Sequence, residues 1–97
     1  MKKLVEEVEG EGLVSLMGER VTLFGLNYIY TGKLVGVNDA FVKLENPAVV
    51  YETGPFHEEK WKDAQNLPTS SWYVMTRSIE SFGICKLHVP EKGKTKD

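Results

Sequence analysis

The feature that most constrains the fold is a succession of short β-rich segments that are separated by turn signals rather than by helices. β-Branched and aromatic residues dominate these segments, and apolar and polar side chains alternate in several of them, which is typical of strands. The segments span residues 21–24, 29–37, 41–52, 71–76 and 79–87. Strands that follow one another without intervening helices form an antiparallel sheet. The sequence therefore predicts an all-β fold with five strands.

Gly32 and Gly36 lie inside the second of these segments. Because glycine kinks and bulges supply the curvature that small barrels need, we expect this strand to bend strongly. Pro47 interrupts the third segment, since proline has no N–H to donate to a strand ladder. We therefore predict a small, bent, five-stranded antiparallel barrel that stays partly open.

A short N-terminal helix is expected before the first strand. Residues 2–9 place three apolar side chains on one side of a helix. A further helical turn is predicted over residues 13–17, ending at Gly18, because glycine is common just past the end of a helix.

Residues 53–70 break the strand rhythm and are predicted to form a long insertion between the third and fourth strands, with one helical turn around residues 58–64. Excursions of this length are typically functional or mobile. We expect four aromatic residues to anchor the insertion to the barrel or to a neighbouring subunit: Phe56, Trp61, Trp72 and Tyr73. A platform for bases or peptides is the alternative. The domain is expected to span residues 1–89, and residues 90–97 to form a disordered tail.

Composition bounds the chemistry of the chain. Its 97 residues make one domain with a modest core, which oligomerisation commonly supplements. Cys85 is the only cysteine, which excludes an intrachain disulfide and a cysteine-based zinc site. Its apolar surroundings predict a buried, unreactive thiol. A single cysteine without an intrachain disulfide indicates a reducing, cytoplasmic location. No apolar run is long enough for a membrane helix.

The sequence offers no Ser-His-Asp set, no phosphate-binding loop and no supported pair of carboxylates. His57 lies among acidic residues, a pattern more typical of a solvated charged surface than of a metal site. We therefore expect neither an enzyme nor a cofactor or metal. The formal net charge is −2, whereas unspecific nucleic-acid binding needs a basic surface. Any contact with nucleic acid must then come from a local site.

A partly open barrel leaves two strand edges unpaired, here the fourth strand near residues 72–76 and the fifth near residues 79–87. Exposed edges must be covered or paired. A head-to-tail contact between them closes into a ring when the rotation allows it. The sequence thus predicts a homo-oligomeric ring in which the fourth strand of one copy pairs with the fifth strand of the next.

The segment from Gly32 to Glu45 carries a resemblance to the Sm-like family. Within it, residues 39–44 resemble the Asp-x-Phe-Val-x-Leu run of the bacterial Hfq branch. Residues 19–21 and Asn27 are similar to the first strand and its turn in that branch, and residues 74–82 to the fourth strand, the corner and the fifth strand. The resemblance covers most of residues 13–87 outside the insertion.

Two departures from the family pattern concern the residues that would contact a ligand. Asp39 is one residue further from Gly32 than the family spacing has it, so either Asn38 or Asp39 can take the motif position. We prefer Asp39, because it turns Val42 inward and Lys43 outward. The Arg-Gly pair and the Tyr-Lys-His run of the second motif are absent from the sequence.

The resemblance implies a ring that binds single-stranded RNA at its pore or on one face. Bases would stack on an aromatic side chain, and polar side chains would read their edges. The residues that match the family positions are Asn38, Asp39, Phe41, Lys43, Arg77 and Ser78. For Phe41 the alternative is a packed barrel residue. The alternative for the whole chain is a ring-forming structural or protein-interaction module without nucleic-acid binding.

Overall fold

The computed structural model describes residues 12–90 of the chain. Six strands and two short 3₁₀ turns follow one another in this range. The strands are β1 (Arg20–Gly25), β2 (Ile29–Val37), β3 (Phe41–Glu52), β4 (Asp63–Asn66), β5 (Ser71–Met75) and β6 (Ile79–Ile84). The 3₁₀ turns span Leu13–Leu16 and Thr76–Ser78. Neither is long and apolar enough to cross a membrane, and no other helix occurs in residues 12–90.

All strands belong to one antiparallel sheet with the order β4-β3-β2-β1-β6, and β5 pairs with β3 beside this path. β4 and β5 occupy successive stretches of the same edge of β3. β5 pairs with residues 41–45 and β4 with residues 48–52. The all-β prediction is confirmed, whereas the count of five strands is wrong because β4 was not foreseen.

The β2–β3 pairing shifts its register beside both glycines of β2. At Gly32 the partner strand approaches closely, since an added Cβ atom would lie 3.0 Å from the carbonyl oxygen of Glu45. Only glycine fits such an approach without displacing the backbone. The irregularities expected from these two glycines are therefore present.

The inner face of the sheet surrounds the larger of two cores. This core consists of Val21 and Leu23 from β1, Leu34 from β2, Val42 and Leu44 from β3, and Val74 from β5. Four of the six strands therefore contribute to a single buried cluster on this face of the sheet. Among residues 12–90, however, β5 and β6 do not pair with each other, so the sheet is not closed into a barrel.

A second core lies on the outer face, under the insertion. Trp61 is only 3% exposed and packs with Val50, Ala64 and Leu87. The insertion is tied to the chain after β6 by two hydrogen bonds: the amide of Trp61 donates to the carbonyl of His88 and the amide of His88 to that of Glu59, each at 2.9 Å. The insertion thus covers a sheet face that would otherwise be exposed to solvent.

Two predictions about this region are wrong. The helical turn expected around residues 58–64 is absent: residues 63–66 form β4, and residues 59–61 run beside His88. The last strand ends at Ile84 rather than at residue 87, because the chain leaves the sheet there to meet the insertion.

The predicted N-terminal helix is reduced to the 3₁₀ turn Leu13–Leu16 in the described part of the chain. Gly18 follows it with φ +90, a conformation that favours glycine. The helix expected over residues 2–9 lies outside the described residues, as does the tail after Pro90.

We predict that Trp61→Ala lowers the free energy of unfolding by about 3–5 kcal/mol, because truncating a buried aromatic residue leaves a cavity. Urea denaturation at a fixed protein concentration measures the loss. Tyr51→Ala, at an exposed position of β3, is the control and should change stability by less than about 1 kcal/mol. Equal losses in the two variants would show that the outer core does not stabilise the fold.

Candidate functional site

The β2–β3 turn is held by Asn38. The amide of Asn38 donates to the carbonyl of Phe41 at 3.0 Å, and its side-chain Oδ1 accepts from the amides of Ala40 and Phe41 at 2.7 and 2.9 Å. Asparagine and aspartate favour turns because their side chains can accept such local bonds. Asn38 therefore shapes the turn, while the Asp39 side chain is exposed at its tip.

The corner between β5 and β6 lies against this turn. The Thr76 amide donates to the carbonyl of Ala40 at 2.9 Å, and its hydroxyl donates to the carbonyl of Asp39 at 2.8 Å. The hydroxyl of Ser78 donates to the carbonyl of Met75 at 2.9 Å. The two loops that the sequence singled out, around residues 38–40 and 76–78, are thus joined in space.

Phe41 and Lys43 project from the outer face of β3 beside Tyr73 of β5. The rings of Phe41 and Tyr73 meet edge to face at 5.3 Å, and Lys43 Nζ lies 5.8 Å from the centre of the Tyr73 ring. Lys43 and Tyr73 are direct partners in the β3–β5 ladder, which places both side chains on one face. This aromatic and cationic cluster is called the Tyr73 patch below.

The six residues predicted from the sequence divide into two groups. Asn38, Asp39, Arg77 and Ser78 belong to the joined loops, and Phe41 and Lys43 belong to the Tyr73 patch. The expected alternation of β3 is confirmed, because Val42 and Leu44 are fully buried. Phe41 is half-buried, so part of its ring packs and part reaches solvent.

Tyr73 was not among the six predicted site residues, although a platform for bases or peptides was the alternative for it. The sequence analysis grouped it with Trp72 among the anchors of the insertion, yet both lie on β5, where they pair with β3 rather than with the insertion. Phe56 and Trp61 do anchor the insertion, in contact with each other and, through Phe56, with Phe24. What identifies Tyr73 as a site residue is its position opposite Lys43 in the β3–β5 ladder. This position cannot be read from the sequence until the pairing of the strands is known.

Within residues 12–90, β4, β5 and β6 each have one unpaired edge. The unpaired edges of β5 and β6, called the two free edges below, carry large apolar side chains that point inward. Phe82 and Ile84 of β6 pair with the buried Leu23 and Val21, so they share the inner face, yet they are 41% and 55% exposed. Trp72 of β5 is opposite the buried Leu44 and is also exposed. At both edges, the inner face therefore carries apolar side chains that a single chain leaves exposed to solvent.

Cys85 is half-buried rather than fully buried. Burial raises the pKa of its thiol, but hydrogen bonds from Thr22 and Thr31 and the charge of Arg20 outweigh that effect, so the pKa lies below its usual value. Within residues 12–90, no three potential ligands come close enough to hold a metal ion.

Comparison with protein-family models, with curated proteins and with solved structures gives no match. The likeness to the Sm-like family therefore rests on the motifs described above.

We predict that Asn38→Ala destabilises the fold by about 1 kcal/mol, because two backbone amides lose their acceptor. Asp39→Ala is the matched neighbour and should change the free energy of unfolding by less than about 0.5 kcal/mol, since its side chain is exposed. Urea denaturation of both variants measures the loss in the free energy of unfolding and shows which side chain stabilises the turn. A larger loss for Asp39→Ala would assign the structural role in the turn to that residue.

Proposed function

We propose that this chain assembles into a closed homo-oligomer in which β5 of one copy pairs with β6 of the next, and that the assembly binds single-stranded RNA. The observation that carries the first part is the pair of free edges with inward-pointing, exposed Trp72, Phe82 and Ile84. Pairing the two edges extends the sheet and covers these side chains. It also satisfies backbone groups that an exposed edge leaves to solvent.

The contact is head-to-tail, because it joins two different edges of the same sheet. A head-to-tail contact forms a ring when the rotation between neighbours closes and an open filament when it does not. The Thr76–Ser78 corner holds the two edges in one orientation, since Thr76 is bonded to the β2–β3 turn and the carbonyl of Ser78 accepts from the amide of Leu26 at 3.0 Å. A fixed orientation favours closure at a single number of copies.

We predict that Ile84→Lys shifts the protein towards monomers. Assembly would bury the new charge at the inner face of the β6 edge, and burying an unpaired charge costs free energy. Native mass spectrometry and light scattering measure the change. Val14→Lys places the same charge at another exposed apolar residue, in the 3₁₀ turn Leu13–Leu16, and should keep the mass of the parent protein. A monomeric parent protein at high concentration would contradict the assembly.

RNA binding is supported by the joined loops and the Tyr73 patch. Single-stranded nucleic acid is bound by aromatic side chains that stack on bases and by cations that contact the backbone, and stacking contributes about 1–3 kcal/mol per base. Phe41 offers a partly exposed ring, Lys43 a cation on the same face of β3, and Arg77 an exposed cation at the corner. A ring repeats these groups once per subunit, which raises the avidity for a single strand.

The second candidate is a ring that serves as a structural or protein-interaction module. The formal net charge of −2 favours it, because unspecific attraction to phosphates is weak at that charge. The two candidates share the assembly and differ in RNA binding alone.

We predict that the protein binds oligo-U or oligo-A at low salt, as measured by fluorescence anisotropy. Phe41→Ala and Arg77→Ala should each weaken binding roughly tenfold, which corresponds to the loss of about 1.4 kcal/mol. Tyr51→Ala, which removes an exposed tyrosine elsewhere on β3, is the control and should bind like the parent. An assembled protein that leaves the anisotropy of both oligomers unchanged at micromolar concentration would favour the interaction module.

A further inference from the structure

An apolar groove of about 270 Å³ lies beside the free edge of β6. It is lined by Phe24 and Gly83 of the sheet and by Phe56 and Trp61 of the insertion, among others. A Cβ atom added to Gly83 would meet no heavy atom within 4 Å, so the space above this residue is open. The insertion thus forms one wall of a groove whose other side borders the free edge of β6.

The place of the groove fits a side chain of an added strand. When a strand is added to a sheet edge, its backbone hydrogen bonds supply affinity, and pockets for alternate side chains supply specificity. A groove beside Gly83, on the outer face of an edge strand, has the position of such a pocket.

The opposite free edge presents matching side chains. Tyr73 and Met75 lie on the outer face of β5 and are 55% and 45% exposed. Gly83 lies on the same outer face, because it pairs with Thr22, whereas its neighbours Phe82 and Ile84 point inward. Side chains keep their face when a sheet is extended. Pairing of β5 with β6 of another copy therefore brings Tyr73 beside Ser81 or Gly83.

We propose that Phe24, Phe56 and Trp61 form a socket around Gly83 that receives Tyr73 of a neighbouring copy. This inference rests on the proposed assembly through β5 and β6, and it gives the insertion a role in that assembly. Tyr73 is the middle residue of β5, so it reaches the outer-face positions of β6 when the two strands pair along their length. Phe56, which is 63% exposed in the single chain, becomes covered by the incoming ring.

Disulfide trapping tests the pairing of β5 with β6 that the socket requires. Cys85→Ser removes the only cysteine, and Tyr73→Cys is then combined with either Gly83→Cys or Ser81→Cys. Paired strands bring facing Cα atoms to about 4.5–5.5 Å, within the range that a disulfide bridges. Mild oxidation with oxidised glutathione should give a ladder of covalent oligomers for at least one pair. The control, Tyr28→Cys with Gly83→Cys, uses an exposed tyrosine away from β5 and should give no ladder.

Filling the socket is the second test. Gly83→Leu should leave the fold of the chain intact, as seen by circular dichroism, because the space above Gly83 is open. The protein concentration at half assembly should rise at least tenfold. Lys33→Leu, which places the same side chain at an exposed position of β2 between its partners β1 and β3, is the control and should assemble like the parent.

The outcomes separate this inference from the proposed function. A ladder together with weakened assembly of Gly83→Leu supports the socket. A parent protein that assembles, with no ladder from either pair and unchanged assembly of Gly83→Leu, overturns the socket and leaves assembly through the edges standing. A parent protein that stays monomeric overturns both.

Discussion

Strand β3 is the element on which the rest of the sheet depends, because three other strands hydrogen-bond to it. This strand of twelve residues pairs with β2 along one edge, and with β5 and then β4 along the other. Asn46, with φ +50, and the fully buried Pro47 separate these two stretches. The first stretch faces the inner core and carries Phe41 and Lys43, whereas the second carries Val50 into the outer core. One strand therefore positions both the candidate binding surface and the insertion.

The local sequence pattern predicted the structure correctly where the neighbours of a side chain lie in its own strand or turn. The alternation of β3, the register shifts beside Gly32 and Gly36, and the turn at Asn38-Asp39 all follow from properties that a short stretch of sequence contains. β4 could not be predicted in this way, since three of its four residues are polar and only Ala64 is buried. It is a strand because the edge of β3 offers it partners, and tertiary context of this kind overrides propensity.

The candidate site shows the same division. Residues 38–43 and 77–78 were identified from motifs, but the hydrogen bonds from Thr76 to the β2–β3 turn depend on how the chain returns after the insertion. The importance of Tyr73 depends on its register with Lys43, which a sequence without a known pairing does not reveal. The outer core likewise arises from segments that are distant in the chain, with Trp61 and Leu87 meeting over Val50. A domain this small buries a limited share of its surface, so covering both faces of one sheet is a substantial gain.

The 3₁₀ corner Thr76–Ser78 is the entire connection between the two free edges. If neighbouring copies join through those edges, the angle between the two edges of one subunit sets the rotation that relates one copy to the next. The number of copies in a closed ring is a full circle divided by that rotation. The backbone conformation of this short corner, together with the hydrogen bonds from Thr76 and Leu26 that hold it, would then determine the symmetry of the whole assembly. A small change there would alter the size of the assembly while leaving the architecture of each subunit intact.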